Sequence, residues 1–330
     1  MKYRRGYRFG IAWGWLFLVV LAAVAAPSSS PPPNLLHPLA PPFHAPSWLG
    51  TDTVGHDIWH SLLAGARSTL LISLPAALFT NILGGSLGVA GGFLGNKRLR
   101  LPRSWCMAGM IAFIAFLIGL GPFWNSIWLL LLLIIGSGGV IGWLLTRLQW
   151  GRRQVPLPFD DALQALIALV DSIPLLVLVL TVAAIQQPSS LGLVLLLTFT
   201  CWTTPARMLR AATMRTASLP FVMAAEAAGI PPLQVASRHI ALNVWPILLT
   251  RIPLSISLII GLETTLSFLG IGLPPEVASW GRILALSRQA PTAWWLIVCP
   301  SVAIFLTIWA LQTLSRPKTL SVATDNDVTK

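Results

Sequence analysis

Residues 127–135 read Ile-Trp-Leu-Leu-Leu-Leu-Leu-Ile-Ile, a stretch with no charge and no alternation. A strand of a membrane barrel would alternate apolar and polar positions over about ten residues, so a continuous run speaks for a helix. Comparable runs recur along the chain at roughly 20 residues each, enough for a helix to cross a hydrocarbon core about 30 Å thick. Composition agrees: 55% of the 330 residues are hydrophobic and 10% are charged, where a soluble domain carries about a quarter charged residues. The sequence predicts an all-α polytopic membrane protein and leaves no length for a large soluble domain.

Working outward from that stretch, eight spans are expected, at 11–26, 68–94, 105–120, 127–145, 161–185, 191–208, 247–269 and 294–314. The charges set their orientation. Of the 22 Lys and Arg residues, all but Arg67, Arg282 and Arg288 fall on alternate sides of successive spans, which the positive-inside rule makes the cytoplasmic face. Both termini are then cytoplasmic, and the net charge of +12 reflects topology rather than nucleic-acid binding. Tryptophans such as Trp13, Trp105, Trp245, Trp294 and Trp309 sit near span ends, as an interfacial belt requires. The start of the chain has the look of a secretory signal, but the further spans favour a retained anchor. Cys106, Cys201 and Cys299 show no metal-type spacing and read as small buried hydrophobes. The expected organisation is an anchor helix at 1–27, an extracytoplasmic loop at 28–66, a core span at 67–95, an inserted hairpin at 96–154, a core at 155–316 containing a cytoplasmic loop at 209–246, and a tail at 317–330.

Within span 68–94, Gly84, Gly85, Gly88, Gly91 and Gly92 supply the small surface that lets helix backbones approach where lipid gives no hydrophobic drive. Two polar segments are more patterned than topology needs. One runs from Leu49 through Asp52, Gly55, His56 and Asp57 to Arg67. The other runs from Phe221 through Ala224, Ala225, Glu226, Ala227, Ala228 and Gly229 to Arg238, His239 and Asn243. Its alanines suit a short helix with a smooth face, stopped by Gly229 and Pro231-Pro232. Such a helix serves equally as a docking surface or as an interfacial connector.

Asp171 and Glu263 fall in or near spans, where an ionisable group is costly and marks a functional candidate; a structural, hydrogen-bonded role is the alternative. His56 and His60 are four apart beside Asp57, but no third ligand at suitable spacing accompanies them. No metal site is assigned. The chain contains no phosphate-cradling Gly-rich loop ending in Lys-Ser or Lys-Thr, and no paired catalytic groups within spans. An intramembrane enzyme and a secondary transporter therefore stand behind a transporter subunit driven from outside the chain.

At the two patterned segments the chain resembles the inner-membrane permease subunits of bacterial ABC importers in the dipeptide, oligopeptide and nickel branch, and among them the second, C-type permease. The resemblance rests on Leu49, Gly50, Thr51, Asp52, Gly55, Asp57, Leu62, Gly65, Ala66, Arg67 and Leu70, then on Ala224, Ala225, Gly229, Arg238, His239, Ile240 and Asn243. Glu263, Leu266 to Gly270, Gly272 and Ser279-Trp280-Gly281 extend it. It implies a type I importer transmembrane domain of six core helices in the bacterial inner membrane, here with an inserted two-helix hairpin. Implied partners are a second permease, two cytoplasmic ATPases that bind ATP and magnesium, and an extracytoplasmic solute-binding protein; this chain binds no cofactor of its own.

In that reading Phe221, Ala224, Ala225, Glu226, Ala228, Gly229, Arg238 and His239 couple to the ATPase. Asp52, Gly55, Asp57, Arg67 and Trp280 form an extracytoplasmic motif, and Asp171 and Glu263 are candidates for the translocation path. The solute is a peptide or peptide-like molecule, with a nickel or metal chelate as the alternative. Three departures from the pattern stand out. Met223 occupies the leading Glu of the coupling motif and Leu242 its Pro, while His56 occupies an Arg position. The hairpin has no counterpart in the family core and is expected to pack outside it, either against lipid or as an interface.

Overall fold

The computed structural model describes residues 2–27, 34, 37–43, 47–96, 98, 100–105, 107–108, 154–185, 189–274 and 277–315. The run at 127–135, nearly all of the two spans expected within 105–145, and the tail at 317–330 lie outside these residues. The chain divides into two units, residues 1–89 with 169–330, and residues 90–168.

Helix α1 covers Lys2–Ala25 in the larger unit, and α2 covers Ile58–Leu94, of which 90–94 belong to the smaller. The sequence placed the start of α2 at residue 68. The helix begins ten residues earlier because Asp57 caps it, its Oδ1 accepting from Trp59 N at 2.9 Å. At about 1.5 Å per residue its 37 residues are more than one crossing of the bilayer core needs. The expected span at 161–185 is two helices, α3 at Phe159–Asp171, of which 159–168 also belong to the smaller unit, and α4 at Leu175–Ile185. Pro174 separates them, since proline disfavours helical conformation in the residue before it.

The span expected at 191–208 is likewise broken, into α5 at Ser190–Cys201 and α6 at Thr203–Ala217, with a bend of 42°. Pro205 has no N–H to give the Cys201 carbonyl, and the chain turns there. The segment 209–246, expected as a loop, is helical for most of its length. After α6 comes α7 at Pro220–Ala227, a short turn, a π-helical stretch at Val235–Ala241, and then α8 at Leu242–Leu269. Its Ala, Leu, Met and Arg content favours helix throughout. Helix α9 at Trp280–Leu286 and α10 at Trp295–Ser315 complete the described part.

Four helices are long and apolar enough to cross a membrane, Tyr7–Ala25, Ile58–Leu94, Pro232–Leu269 and Trp295–Ser315. Counting α3 with α4 and α5 with α6 as one broken span each gives six among the described residues. One core cluster joins Ile72, Ala76 and Ala77 of α2, Leu193 and Leu197 of α5, and Ile256, Ile259 and Ile260 of α8. A second joins Ile58 and Ala66 to Trp280, Ile283 and Leu296. Phe17, Leu21 and Val24 of α1 are exposed, as a lipid-facing stripe is, while Trp15 Nε1 donates to Thr307 Oγ1 of α10 at 3.1 Å.

Gly84 and Gly88 hold α2 against α6. A Cβ on Gly84 would collide with the Trp202 carbonyl and lie 2.7 Å from Pro205 Cγ; one on Gly88 would collide with the Ala206 carbonyl. The small residues read from the sequence are thus a backbone contact of the Gly-xxx-Gly kind.

In the smaller unit, Arg100–Pro102 and Gln154–Pro156 pair as antiparallel strands β1 and β2, with Leu101 opposite Val155. The two flanks of residues 103–153 lie side by side. Asn96 Oδ1 accepts from Asp161 N at 3.1 Å, and Arg98 stacks over Phe93 at 4.3 Å.

Candidate functional site

Helix α7 begins with Pro220 in its first turn, where a missing N–H costs nothing. It ends in a complete Schellman motif: Gly229 N bonds Glu226 O at 3.0 Å and Ile230 N bonds Ala225 O at 3.2 Å, with Gly229 at φ +78. A side chain at 229 would be strained there. The helix is two-sided. Val222 and Ala225 are buried and seat it on its own chain, whereas Phe221, Met223, Ala224, Glu226, Ala228 and Gly229 are exposed. Ala225, grouped from sequence with the coupling surface, lies on the inward side of the helix, since three-residue spacing puts it on the same face as Val222. Arg238 is exposed and His239 half-buried on the π-helical stretch behind, and the His239 carbonyl accepts from Asn243 Nδ2 at 2.6 Å.

The motif from residue 49 onward folds around Asp52. Its Oδ1 accepts from Val54 N and His56 N, both at 2.8 Å, and its Oδ2 lies 3.2 Å from His56 Nδ1. Gly55, at φ +97, passes so close to Asn34 that any Cβ would strike its carbonyl. Asp57 turns its other oxygen to His60 Nδ1 at 3.1 Å. Each histidine is thus held by its own carboxylate, and no three His, Cys, Asp or Glu among the described residues are grouped to hold a metal.

Trp280 is 2% exposed. Its Nε1 donates to Leu62 O at 3.0 Å, and its ring lies over Gly65, where a Cβ would come within 2.7 Å of Cδ1. Trp280 therefore joins the motif as a packing anchor between α9 and α2. Ser68 Oγ adds a bond to Ala278 O, and Trp295 Nε1 one to Thr51 O at 3.1 Å. Arg67 is exposed.

Asp171 ends α3 and is engaged at both oxygens: Thr203 Oγ1 donates to Oδ1 at 2.9 Å and Arg207 Nη2 lies 2.8 Å from Oδ2. Both partners belong to α6, so the pair ties the break before Pro174 to the helix that leads into α7. Glu263 is fully buried in α8, its Oε1 accepting from Ser267 Oγ at 2.9 Å. Thr203 and Arg207 carry no motif that would single them out beforehand, whereas Ser267 lies within the matched run from Leu266 to Gly270.

A family model described as the inner membrane component of binding-protein-dependent transport systems matches residues 138–321. The chain belongs to this family. As a member it is a multi-pass inner-membrane permease component. It is 28% identical over 313 residues, 94% of this chain and 84% of the relative, to a Brucella suis protein provisionally named a peptide transport system permease protein. It is 24% identical over 306 residues, 91% of this chain and 76% of the relative, to the dipeptide transport system permease protein of Bacillus subtilis. The di/tripeptide transport system permease protein of Pseudomonas aeruginosa is 26% identical over 277 residues, 81% of this chain and 71% of its own.

Proposed function

We propose that this chain is one of two permease subunits of an ATP-driven importer of di- and oligopeptides. The supporting observation is similarity along most of the chain to permeases named for dipeptide and di/tripeptide transport. In this reading the permease core has six spans, two of them broken, and the hairpin at 96–154 raises the total to eight with both termini in the cytoplasm. The 49–67 motif and α9 face outward, toward a solute-binding protein, and α7 faces a cytoplasmic ATPase, one of two in the assembly that bind ATP and magnesium. The exposed face of α7 offers Phe221 and Met223 as apolar contacts, with Glu226 one turn from the position where the family pattern has its carboxylate. Met223 fills apolar surface but accepts no charge-assisted hydrogen bond, so docking in this chain leans on packing.

The test is reconstitution of the permease pair with its ATPases and binding protein in vesicles. Wild type is expected to take up labelled di- and tripeptides only with internal ATP and external binding protein. Phe221→Asp is expected to insert at normal abundance, lose uptake, and leave ATP hydrolysis unresponsive to the binding protein. Full uptake by that variant would remove α7 as the docking helix.

A further inference from the structure

Between the C-terminal end of α8 and α9 lies a cavity of about 210 Å³, with Ser267, Ser279, Arg282 and Arg288 in its lining and Leu273 and Leu286 among its apolar walls. Among the described residues its charge is one-sided. Arg288 is fixed in place: Nη2 donates to Phe268 O at 2.6 Å, Nε to Ala285 O at 3.4 Å, and the guanidinium stacks over the Phe268 ring at 4.9 Å. Arg282 reaches only the Pro274 carbonyl, at 3.5 Å. A guanidinium has five N–H donors in a planar fork, so both arginines keep donors uncommitted. Among the described residues neither meets a carboxylate. The nearby acid, Glu263, is fully buried and accepts a hydrogen bond from Ser267 Oγ, so it stands behind the wall rather than in the cavity.

Two pre-positioned cations beside apolar walls suit a carboxylate that carries a small apolar substituent, because an arginine fork matches a carboxylate in both geometry and charge. Sites for whole drug-sized ligands occupy about 300–1,000 Å³. This one is smaller and admits a chain end. We propose that the cavity binds the C-terminal carboxylate of a peptide, with its last side chain against Leu273 and Leu286. The proposal rests on the peptide-importer reading and gives the permease itself a share in recognising the solute.

Ligand-observed saturation-transfer NMR on the whole complex in nanodiscs tests this, with N-acetylalanine as probe and N-acetylalanine amide as its uncharged counterpart. The acid is expected to receive saturation and the amide to receive at least ten-fold less. Arg282→Gln, which leaves the anchors of Arg288 intact, is expected to weaken acid binding about ten-fold, the equivalent of about 1.4 kcal/mol; Arg282→Lys is expected to fall between.

Equal signals from acid and amide, no signal from either, or an unchanged signal in Arg282→Gln would each overturn the site. An acidic side chain of the binding protein is the other possible source of a carboxylate. In that case Arg282→Gln would raise the binding-protein concentration that half-stimulates ATP hydrolysis while N-acetylalanine gives no signal, and the proposal would fall. ATP hydrolysis stimulated by the binding protein in wild type reports on the importer reading separately.

Discussion

If Asp171 serves mainly to tie α3 to α6, removing it and removing Arg207 should have the same consequence, and removing both should add little. The geometry sets the size. At roughly 4 Å and an effective dielectric of about 20, two unit charges attract by about 4 kcal/mol. Here the Arg207 side chain is 54% exposed and Asp171 29%, so solvent screening takes most of this, and exposed pairs deliver about 0.2–1 kcal/mol. The bond from Thr203 Oγ1 at 2.9 Å keeps the carboxylate oriented and moves the expectation to the top of that range.

We expect Asp171→Asn and Arg207→Gln each to destabilise the protein by about 1 kcal/mol, and the double variant to cost well under their sum. The resulting coupling is about 1 kcal/mol and should shrink toward zero at about 1 M salt, where the Debye length falls to about 3 Å. Unfolding of the four proteins in mixed micelles, followed by tryptophan fluorescence, measures the cycle. Strict additivity at low salt would refute the tie. A loss of uptake in Asp171→Asn that Arg207→Gln does not share would instead make Asp171 a group of the translocation path.

Two further outcomes follow from contacts described above. Gly88→Leu should separate α2 from α6, because the new side chain meets backbone atoms rather than a movable side chain; reduced membrane abundance and lower thermal stability would check it, and unchanged values would exclude the close contact. The double variant His56→Gln, His60→Gln should keep transporting, whereas Asp57→Ala should lose about 1 kcal/mol of helix capping and a larger share of uptake. Abolished uptake in the histidine variant at normal abundance, restored by added transition metal, would reinstate a metal role.

The spans among the described residues were legible because lipid leaves an apolar run few arrangements other than a helix. The breaks were not. Pro174 and Pro205 each interrupt a run that is apolar on both sides, so composition reads straight through them. The partners of Asp171 were equally hidden: Arg207 carried a topological meaning that fully accounted for it, and nothing local links positions so far apart on different helices. The alanines of α7 announced a smooth helix without telling which side lies inward, and only the seating of Val222 on the rest of the chain decides that Ala225 faces in. Trp280 and Glu263 were picked out by pattern, and both prove to be interior. The glycine contact of α2 was readable because close backbone approach has few other solutions.

The ribbon of β1 and β2 sets the two flanks of residues 103–153 side by side. Their two ends are clasped together, so the chain re-enters where it left, and whatever lies between them is an excursion with a shared doorway. Once a loop is closed, doubling its length adds only about 0.6 kcal/mol of closure entropy. A change of length beyond the clasp therefore adds little closure cost, and residues 103–153 are where insertions and deletions are expected to be tolerated best.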